Sequence, residues 1–415
     1  MKIMVAAASF SSEISGIQRH ALNMVRCLLR RPEISRVDLV VAPWQTKLVQ
    51  SAVYRSDGRV TNHVAEMDQG SLSRNLWYYR ELPVLAARLQ SDVVHFTYPV
   101  PVDTTSLNCP AVVTLHDLYP YEIPRNFRFP HVIFNRLVLR QCLRSVDAIA
   151  CVSESTVQRL RQYAPRSTWR KAVRIYNCVE PEPYCATRPP IRNWRGEPFL
   201  LSVAQHRRNK NVLLLIRAFH RLLRASAIDQ SMKLLIVGID GPETQQIQQL
   251  VSDLGLSHSV LLLRGLSDPE LQWCYGRCEA LVAPSKTEGF GLPVAEGLLV
   301  GCRIVCSDIP AFREVGGLHC CYVKLGKGEE EALAAAIQVT LQEPQKDPLS
   351  LPHLSAEVLA DQYVNLYRAL IPSKAALPIA DVAVPARGGA TPERLLYDRI
   401  SGAESRRRRD ERGYI

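Results

Sequence analysis

The stretch ALVAPSKTEGFGLPVAEGLLVG, residues 280–301, decides the fold. Its first residues are a short apolar run that stops at Pro284 and Ser285, as a buried strand does. A turn carrying Gly289 and Gly291 follows, and Pro293 then takes a first helical position, where its missing N–H costs nothing. Strand, glycine turn and helix make one βα unit. The same unit recurs outward on both sides. Upstream lie FLLSVAQ (199–205), the helix NVLLLIRAFHRLLRA (211–225), KLLIVG (233–238), a helix from Pro242, and VLLLRG (260–265). SDPELQWCYGRC (267–278) is a further helix, with Ser267 and Glu270 as a capping box. RIVCSD (303–308) follows downstream.

The N-terminal half alternates in the same way. Strands are expected at KIMVAAA (2–8), RVDLVVAP (36–43), VVHFT (93–97), AVVTLHD (111–117) and AIACVSE (148–154). Between them stand GIQRHALNMVRCLLRR (16–31), with Ala21, Met24, Leu28 and Leu29 on one stripe, SRNLWYYRELPVLAARLQ (73–90) and HVIFNRLVLRQCLRSV (131–146). Continuous apolar strands alternating with helices imply parallel sheets covered on both faces. The alternation breaks at the Pro-rich CVEPEPYCATRPPIRNWRGEP (178–198). The fold class is therefore α/β, two Rossmann-like doubly wound parallel-sheet domains that face each other across a cleft, the usual place for a ligand. The domains are placed at 1–185 and 199–350, with a linker at 186–198. A helix at 354–371 is expected to pack back toward the N-terminal domain. Residues 372–415 turn to Ala, Pro, Gly and Arg, and are expected to be a disordered basic tail.

Composition narrows the function. The chain has 415 residues, enough for two or three domains, with 47% apolar and 22% charged residues. No apolar run reaches the roughly 20 residues a bilayer span needs, and the first residues read as a core strand rather than a secretion signal. The twelve cysteines are scattered, without a CxxC pair or a His at zinc-ligand spacing. They suit buried thiols in a reducing cytoplasm, and no metal site is expected. The net charge of +11 favours anionic partners. The tail contributes +3 of it, with nine Lys and Arg against six Asp and Glu.

In the 284–301 stretch, glycines allow close backbone approach and a helix N-terminus attracts phosphate. Glu288 in the turn and Glu296 one turn into the helix both reach a ligand lying there. A carboxylate beside phosphate is expensive, so the pair suits sugar hydroxyls. The plainer reading of Glu296 is a partner for the helix dipole.

These residues carry a family resemblance. EGFGLPVAE (288–296) resembles the E-x7-E motif of retaining glycosyltransferases of family 4, which have the two-domain fold called GT-B. SGIQRH (15–20), VVTLHDLYP (112–120), ACVSEST (150–156), QHRRNKN (205–211) and SDIPAFREVGG (307–317) are similar to further family segments, in the family's order. The likeness covers about residues 1–371, and the wording resembles mannosyltransferase members. It implies that Glu296 holds the nucleotide ribose and Glu288 the donor sugar. The backbone at Phe290, Gly291 and Leu292 lies beside the sugar and diphosphate. Lys210 with Arg207 or Arg208 neutralises the diphosphate, His116 contacts the sugar near the reacting carbon, and Gly16 lets the first loop approach the diphosphate. The base lies near Gly238 and Arg264–Gly265. The family's usual Gly-Arg is replaced by SVAQHRR, which leaves the choice between Arg207 and Arg208 open.

The expected activity is metal-independent transfer of a hexose, mannose first, with retention. No cofactor is expected beyond the donor, GDP-mannose or a UDP-sugar, and the acceptor is a glycan or lipid-linked glycan in polysaccharide biosynthesis. A sugar-nucleotide epimerase on the same fold, or a non-catalytic binder of nucleotide sugar or nucleic acid, is the alternative. A glycan phosphorylase is disfavoured, because the chain is short and shows no cofactor-lysine segment. His95 is a weaker site candidate. Arg136, Arg140 and Arg144 at i, i+4 spacing suit either an acidic membrane surface or solvent. The RRRR run at 406–409 reads as a solvated tail, with no specific nucleic-acid partner expected. The expected location is cytoplasmic, at the inner face of the membrane if peripheral.

Overall fold

The computed structural model describes residues 1–10, 15–46, 57–124, 130–180, 189–191 and 194–371. The tail at 372–415, with its RRRR run, and linker residues 186–188, 192 and 193 lie outside them. Seven parallel strands form the first sheet: β1 (Lys2–Ala6), β2 (Arg36–Val41), β3 (Val60–Val64), β4 (Val93–Phe96), β5 (Ala111–Leu115), β6 (Ala148–Cys151) and β7 (Ala172–Arg174). Their order is β3-β2-β1-β4-β5-β6-β7. Six more make the second: β8 (Phe199–Val203), β9 (Lys233–Val237), β10 (Val260–Leu263), β11 (Ala280–Ala283), β12 (Ile304–Ser307) and β13 (Cys321–Val323), in the order β10-β9-β8-β11-β12-β13. Every pairing is parallel. Both sheets start in the middle and reverse direction beside their first strand. The switch points fall between β1 and β4 and between β8 and β11, where α/β sheets open a crevice at their carboxyl ends.

Helices cover both faces. In the first lobe, α1 (Gly16–Leu29) lies on one face, and α2 (Ser71–Leu89), α4 (His131–Ser145) and α5 (Glu154–Tyr163) lie on the other. Short helices α3 (Tyr119–Glu122) and α6 (Arg166–Trp169) also belong to this lobe. The second lobe has α7 (Val212–Arg224), α8 (Thr244–Asp253), α9 (Asp268–Arg277), α10 (Leu292–Leu299), α11 (Pro310–Gly316) and α12 (Glu329–Gln342). The last helix, α13 (Ala356–Leu370), packs on α1 through Leu359, Tyr363 and Tyr367. The chain thus crosses between the lobes twice. At the crossings Val179 N–H donates to the Leu354 carbonyl at 3.0 Å, and Glu180 accepts from Ala356 N–H at 2.8 Å.

Strands β3 and β7 are part-polar and β13 (CYV) is only three residues long, so none stands out in the sequence. Each is an edge strand, and β3 (VTNHV) and β7 (AVR) are half-buried or exposed, so burial asks little of them. Pro83 sits inside α2, where the sequence reads straight through it.

The second lobe centres on Phe199, stacked on Trp273 at 5.7 Å with Trp194 edge-on at 5.5 Å. Phe199→Ala is expected to cost about 3–5 kcal/mol of stability. Val339→Ala, at a side chain 58% exposed, is expected to stay within about 0.5 kcal/mol. Denaturant titration of the two variants checks the contrast.

Candidate active site

The two switch points face each other, and the loops at the strand ends interlock. Gly16, the first residue of α1, lies against Leu292, the first residue of α10, so two helix N-termini meet across the cleft. Such termini present backbone N–H groups without intrahelical partners. Gly291 caps α10 with φ +104°, and a β-carbon there would strike the Phe312 ring. Gly289 is needed for a different reason. A β-carbon on it would lie 1.7 Å from the His116 carbonyl oxygen of the first lobe. Ser153 and Thr156 hold this contact, donating to the Gly289 carbonyl at 2.5 and 3.1 Å. The glycine that the sequence assigns to ligand approach therefore serves the approach of the lobes.

Beside this contact lies a paired carboxylate. Glu288 accepts from Lys210 Nζ at 2.6 Å and Ser285 Oγ at 2.7 Å, and Tyr119 of the first lobe reaches its other oxygen at 3.5 Å. Asn209 Nδ2 donates to the Tyr119 hydroxyl at 3.1 Å. Arg207 is half-buried and its charge acts on Asp117 and Tyr119, whereas Arg208 is exposed and acts on Glu243. Burial pushes the Asp117 carboxyl up to about 6, with Glu122 and Glu288 adding to the rise and Arg207 opposing it. His116 is half-buried, and its Nε2 sits 2.8 Å from the Thr97 carbonyl. Since a carbonyl only accepts, Nε2 carries the proton and Nδ1 the lone pair. Burial lowers this imidazole to about 4, so it is neutral at physiological pH.

Glu296, on α10, accepts from the Tyr275 hydroxyl at 2.6 Å. Arg19, from α1 of the opposite lobe, lies 3.8 Å from its other oxygen and pairs with Asp268 at 2.7 Å. Burial raises the Glu296 pKa, and Arg19 opposes the rise. Further out, Gly265 has φ +64° with open space where a side chain would stand, and Arg264 pairs with Asp240. Gly238 packs its α-carbon onto the Ala204 carbonyl, closing β9 against the loop after β8.

Comparison with known proteins supplies the class. Residues 14–183 match the family described as Glycosyltransferase Family 4, and residues 187–350 match Glycosyl transferases group 1. The chain belongs to these glycosyltransferases. It is 27% identical over 301 residues to the O-antigen chain mannosyltransferase RfbU of Salmonella typhimurium, spanning 70% of this chain and 78% of that one. It is 25% identical over 343 residues to O-antigen chain mannosyltransferase B of Escherichia coli, 76% and 85% of the two chains. Among solved structures, Anabaena HepE in complex with UDP and glucose superposes with a TM-score of 0.61 at 18% identity, covering 89% of this chain and 98% of that one. WaaG, involved in lipopolysaccharide biosynthesis, gives 0.62 at 15% identity, covering 89% and 97%. These structures share the GT-B fold.

In this glycosyltransferase the cleft brings Glu288, Lys210, Arg207 and His116 into one neighbourhood, with Gly16, Gly291, Leu292 and Glu296 beside it. Phe290 is buried against Tyr176 at 5.8 Å, so only its backbone is available. Arg208 is exposed, and its charge acts on Glu243 rather than on this group. Sequence reasoning missed Arg19, Tyr119, Tyr275 and Glu314. Glu314 accepts from the Glu154 and Ser155 N–H groups at 2.7 and 3.0 Å, capping α5 from the other lobe. Arg19, Tyr119 and Glu314 all fall inside the family-like motifs, but nothing in a local pattern shows a contact well over a hundred residues away.

Gly289→Ala is expected to force the lobes apart and lower the transfer rate about a hundredfold with the fold intact, read by activity and circular dichroism. Acid stability follows from the buried groups. Burial holds His20 well below its usual range and His95 at about 3, beside His116 at about 4 and Asp117 at about 6. At pH 5 the unfolded chain protonates the three imidazoles and the folded chain does not, whereas Asp117 is protonated only when folded. Unfolding therefore takes up about two protons at these four groups, and stability rises with pH between about 4.5 and 6. Asp117→Asn removes the opposing group and is expected to steepen that rise in urea titrations.

Proposed function

We propose that this glycosyltransferase moves mannose from GDP-mannose, with retention at the anomeric carbon, onto a lipid-linked glycan of cell-surface polysaccharide assembly. The observation that carries the reading is the Lys210–Glu288 pair set between two facing helix N-termini, with His116 beside it. Relatives named as O-antigen mannosyltransferases support the sugar and the pathway class, and a UDP-sugar is the competing donor.

In this reading the diphosphate lies between the N-termini of α1 and α10, beside Gly16 and the backbone of Phe290, Gly291 and Leu292. Arg207 and Lys210 stabilise the charge that develops as the bond from the anomeric carbon to the phosphate oxygen breaks. Arg207 takes this role over Arg208 because it is half-buried and its charge acts on Asp117 and Tyr119, whereas Arg208 is exposed beside Glu243. Glu288 accepts from the sugar hydroxyls, Glu296 from the ribose, and the base lies toward Gly265. His116, neutral with its lone pair on Nδ1, accepts from a sugar hydroxyl near the reacting carbon. The electron pair leaves with the diphosphate. The acceptor oxygen then bonds the anomeric carbon from the same face and gives its proton to the leaving phosphate oxygen. Catalysis is mainly positioning and fixed charge, and no cofactor beyond the donor is needed.

The acceptor side suits an anionic lipid surface on the cytoplasmic leaflet. No helix among the described residues is long and apolar enough to cross a membrane. Yet α2 and α4 both begin at the cleft edge of the first sheet and expose Leu72, Leu76 and Tyr79, and Ile133, Phe134 and Leu137. Arg140 and Arg144 are exposed on α4 beside them. Arg136, expected on the same face, is not free for this role. It donates to the Pro120 carbonyl at 2.8 Å and stacks on Tyr121.

Thermal-shift titration in chelator is expected to show stabilisation by GDP-mannose over UDP-glucose, UDP-galactose and UDP-N-acetylglucosamine, weakened in Glu296→Ala. Glu288→Gln is expected to lower turnover about 10²–10³-fold. Stabilisation by none of the sugars would overturn the reading, and conversion of a donor without acceptor would assign an epimerase. Leu137→Glu is expected to abolish flotation with phosphatidylglycerol vesicles.

A further inference from the structure

Beneath His116 the first lobe buries a line of polar side chains that the proposed chemistry does not use. His20 of α1 stands edge-on to His116 with ring centres 4.7 Å apart. Its Nδ1 is 2.8 Å from Asn177 Oδ1 and its Nε2 is 3.1 Å from Thr114 Oγ1. Thr114 lies on β5, two residues before His116. The same hydroxyl is 2.8 Å from His95 Nε2, and His95 Nδ1 is 2.6 Å from the Tyr367 hydroxyl on α13. His20, His95, Thr114, Asn177 and Tyr367 are all at most 4% exposed.

The donors and acceptors fix the direction of the line. Asn177 Oδ1 only accepts, so His20 Nδ1 donates to it. Burial keeps His20 and His95 neutral, so His20 Nε2 accepts, and Thr114 Oγ1 donates there. Thr114 then accepts from His95 Nε2, which leaves His95 Nδ1 to accept from Tyr367. All these donors and acceptors are paired in one order only. Removing an inner member strands buried polar atoms on both sides of it.

The two ends lie on the two segments of chain that cross between the lobes. Asn177 precedes Cys178 and Val179 on the outgoing strand of chain, and Tyr367 is on the helix that returns. We propose that the Tyr367–His95–Thr114–His20–Asn177 chain positions His116, holding its ring through the edge of His20 and tying that orientation to the seating of α13. His95 is thus a positioning residue rather than a site residue. The inference rests on the reading of His116 as the group that contacts the donor sugar.

The experiment compares Tyr367→Phe, Thr114→Val, Thr114→Ser and His116→Ala in full-length protein labelled with 15N-histidine. Tyr367→Phe removes one hydroxyl at the far end of the line, and the ring still packs. It is expected to shift or broaden the His116 imidazole signals and to lower kcat severalfold, with KM for the donor unchanged within twofold. Thr114→Val is expected to lower kcat about tenfold or more, and Thr114→Ser to restore it. Should Thr114→Val fail to fold, Tyr367→Phe alone decides. Unmoved His116 signals and wild-type kcat in folded Tyr367→Phe would overturn the proposal. His116→Ala tests the other reading separately. If it keeps full activity while Tyr367→Phe still moves the His116 signals, the positioning stands and the sugar-contact role falls.

Discussion

The Gly289 backbone against the His116 carbonyl is the contact on which the cleft depends. The loop that follows β11 and the loop that follows β5 meet there with no side chain between them, and Ser153 and Thr156 clamp the Gly289 carbonyl from the first lobe. Around it the lobes exchange polar partners, alongside an apolar contact in which Val152 and Tyr176 of the first lobe pack with Phe290 of the second. Arg19 reaches Glu296, Tyr119 reaches Glu288, Arg159 reaches Thr287, and Glu314 caps α5. A wholly apolar interface would favour a permanently shut cleft. Hydrogen bonds and ion pairs can be exchanged for bonds to water or ligand at small net cost, which suits an interface that must admit a substrate.

The architecture was legible in the sequence because parallel strands buried on both faces must be continuously apolar. Thus β1, β2, β8, β9 and β11 announce themselves, and their spacing implies the helices between them. Strands β3 and β7 were not legible, since an edge strand can be half-polar without penalty, and β13, three residues long, is too short to show a pattern. The α10 entry was readable to within one residue because Gly291 and Pro293 are each demanded by local backbone geometry. Gly289 shows the limit of such reasoning. A glycine announces a close approach but not its partner, and here the partner is a carbonyl from a strand end 173 residues earlier in the chain rather than a ligand.

The same limit applies to polar residues. Arg19 and His20 are neighbours on one amphipathic helix and look alike in a helical pattern, yet they serve different ends. Arg19 crosses to Asp268 and Glu296, whereas His20 turns into the first lobe and joins a line that stops on α13. What separates them is the angular step of about 100° per residue, which sends one side chain to the cleft and the next to the sheet. Composition fixes that the helix has a wet face; only the packed structure says what wets it.

The Lys210–Glu288 pair constrains the order of events under the proposed chemistry. A lone carboxylate in a half-closed cleft would repel a diphosphate, and a lone ammonium would bind it too indiscriminately to demand a sugar. Paired at 2.6 Å, the two nearly cancel. An arriving diphosphate competes for Lys210 and can draw it off only if something replaces the ammonium at Glu288. Ser285 already donates to one Glu288 oxygen and Tyr119 stands near the other, so the missing donors are hydroxyls, which the sugar carries. Free nucleotide diphosphate lacks them and leaves Glu288 underpaired beside a dianion. The pair therefore couples phosphate recognition to sugar recognition and favours the intact donor over its own leaving group, which helps the product depart after transfer.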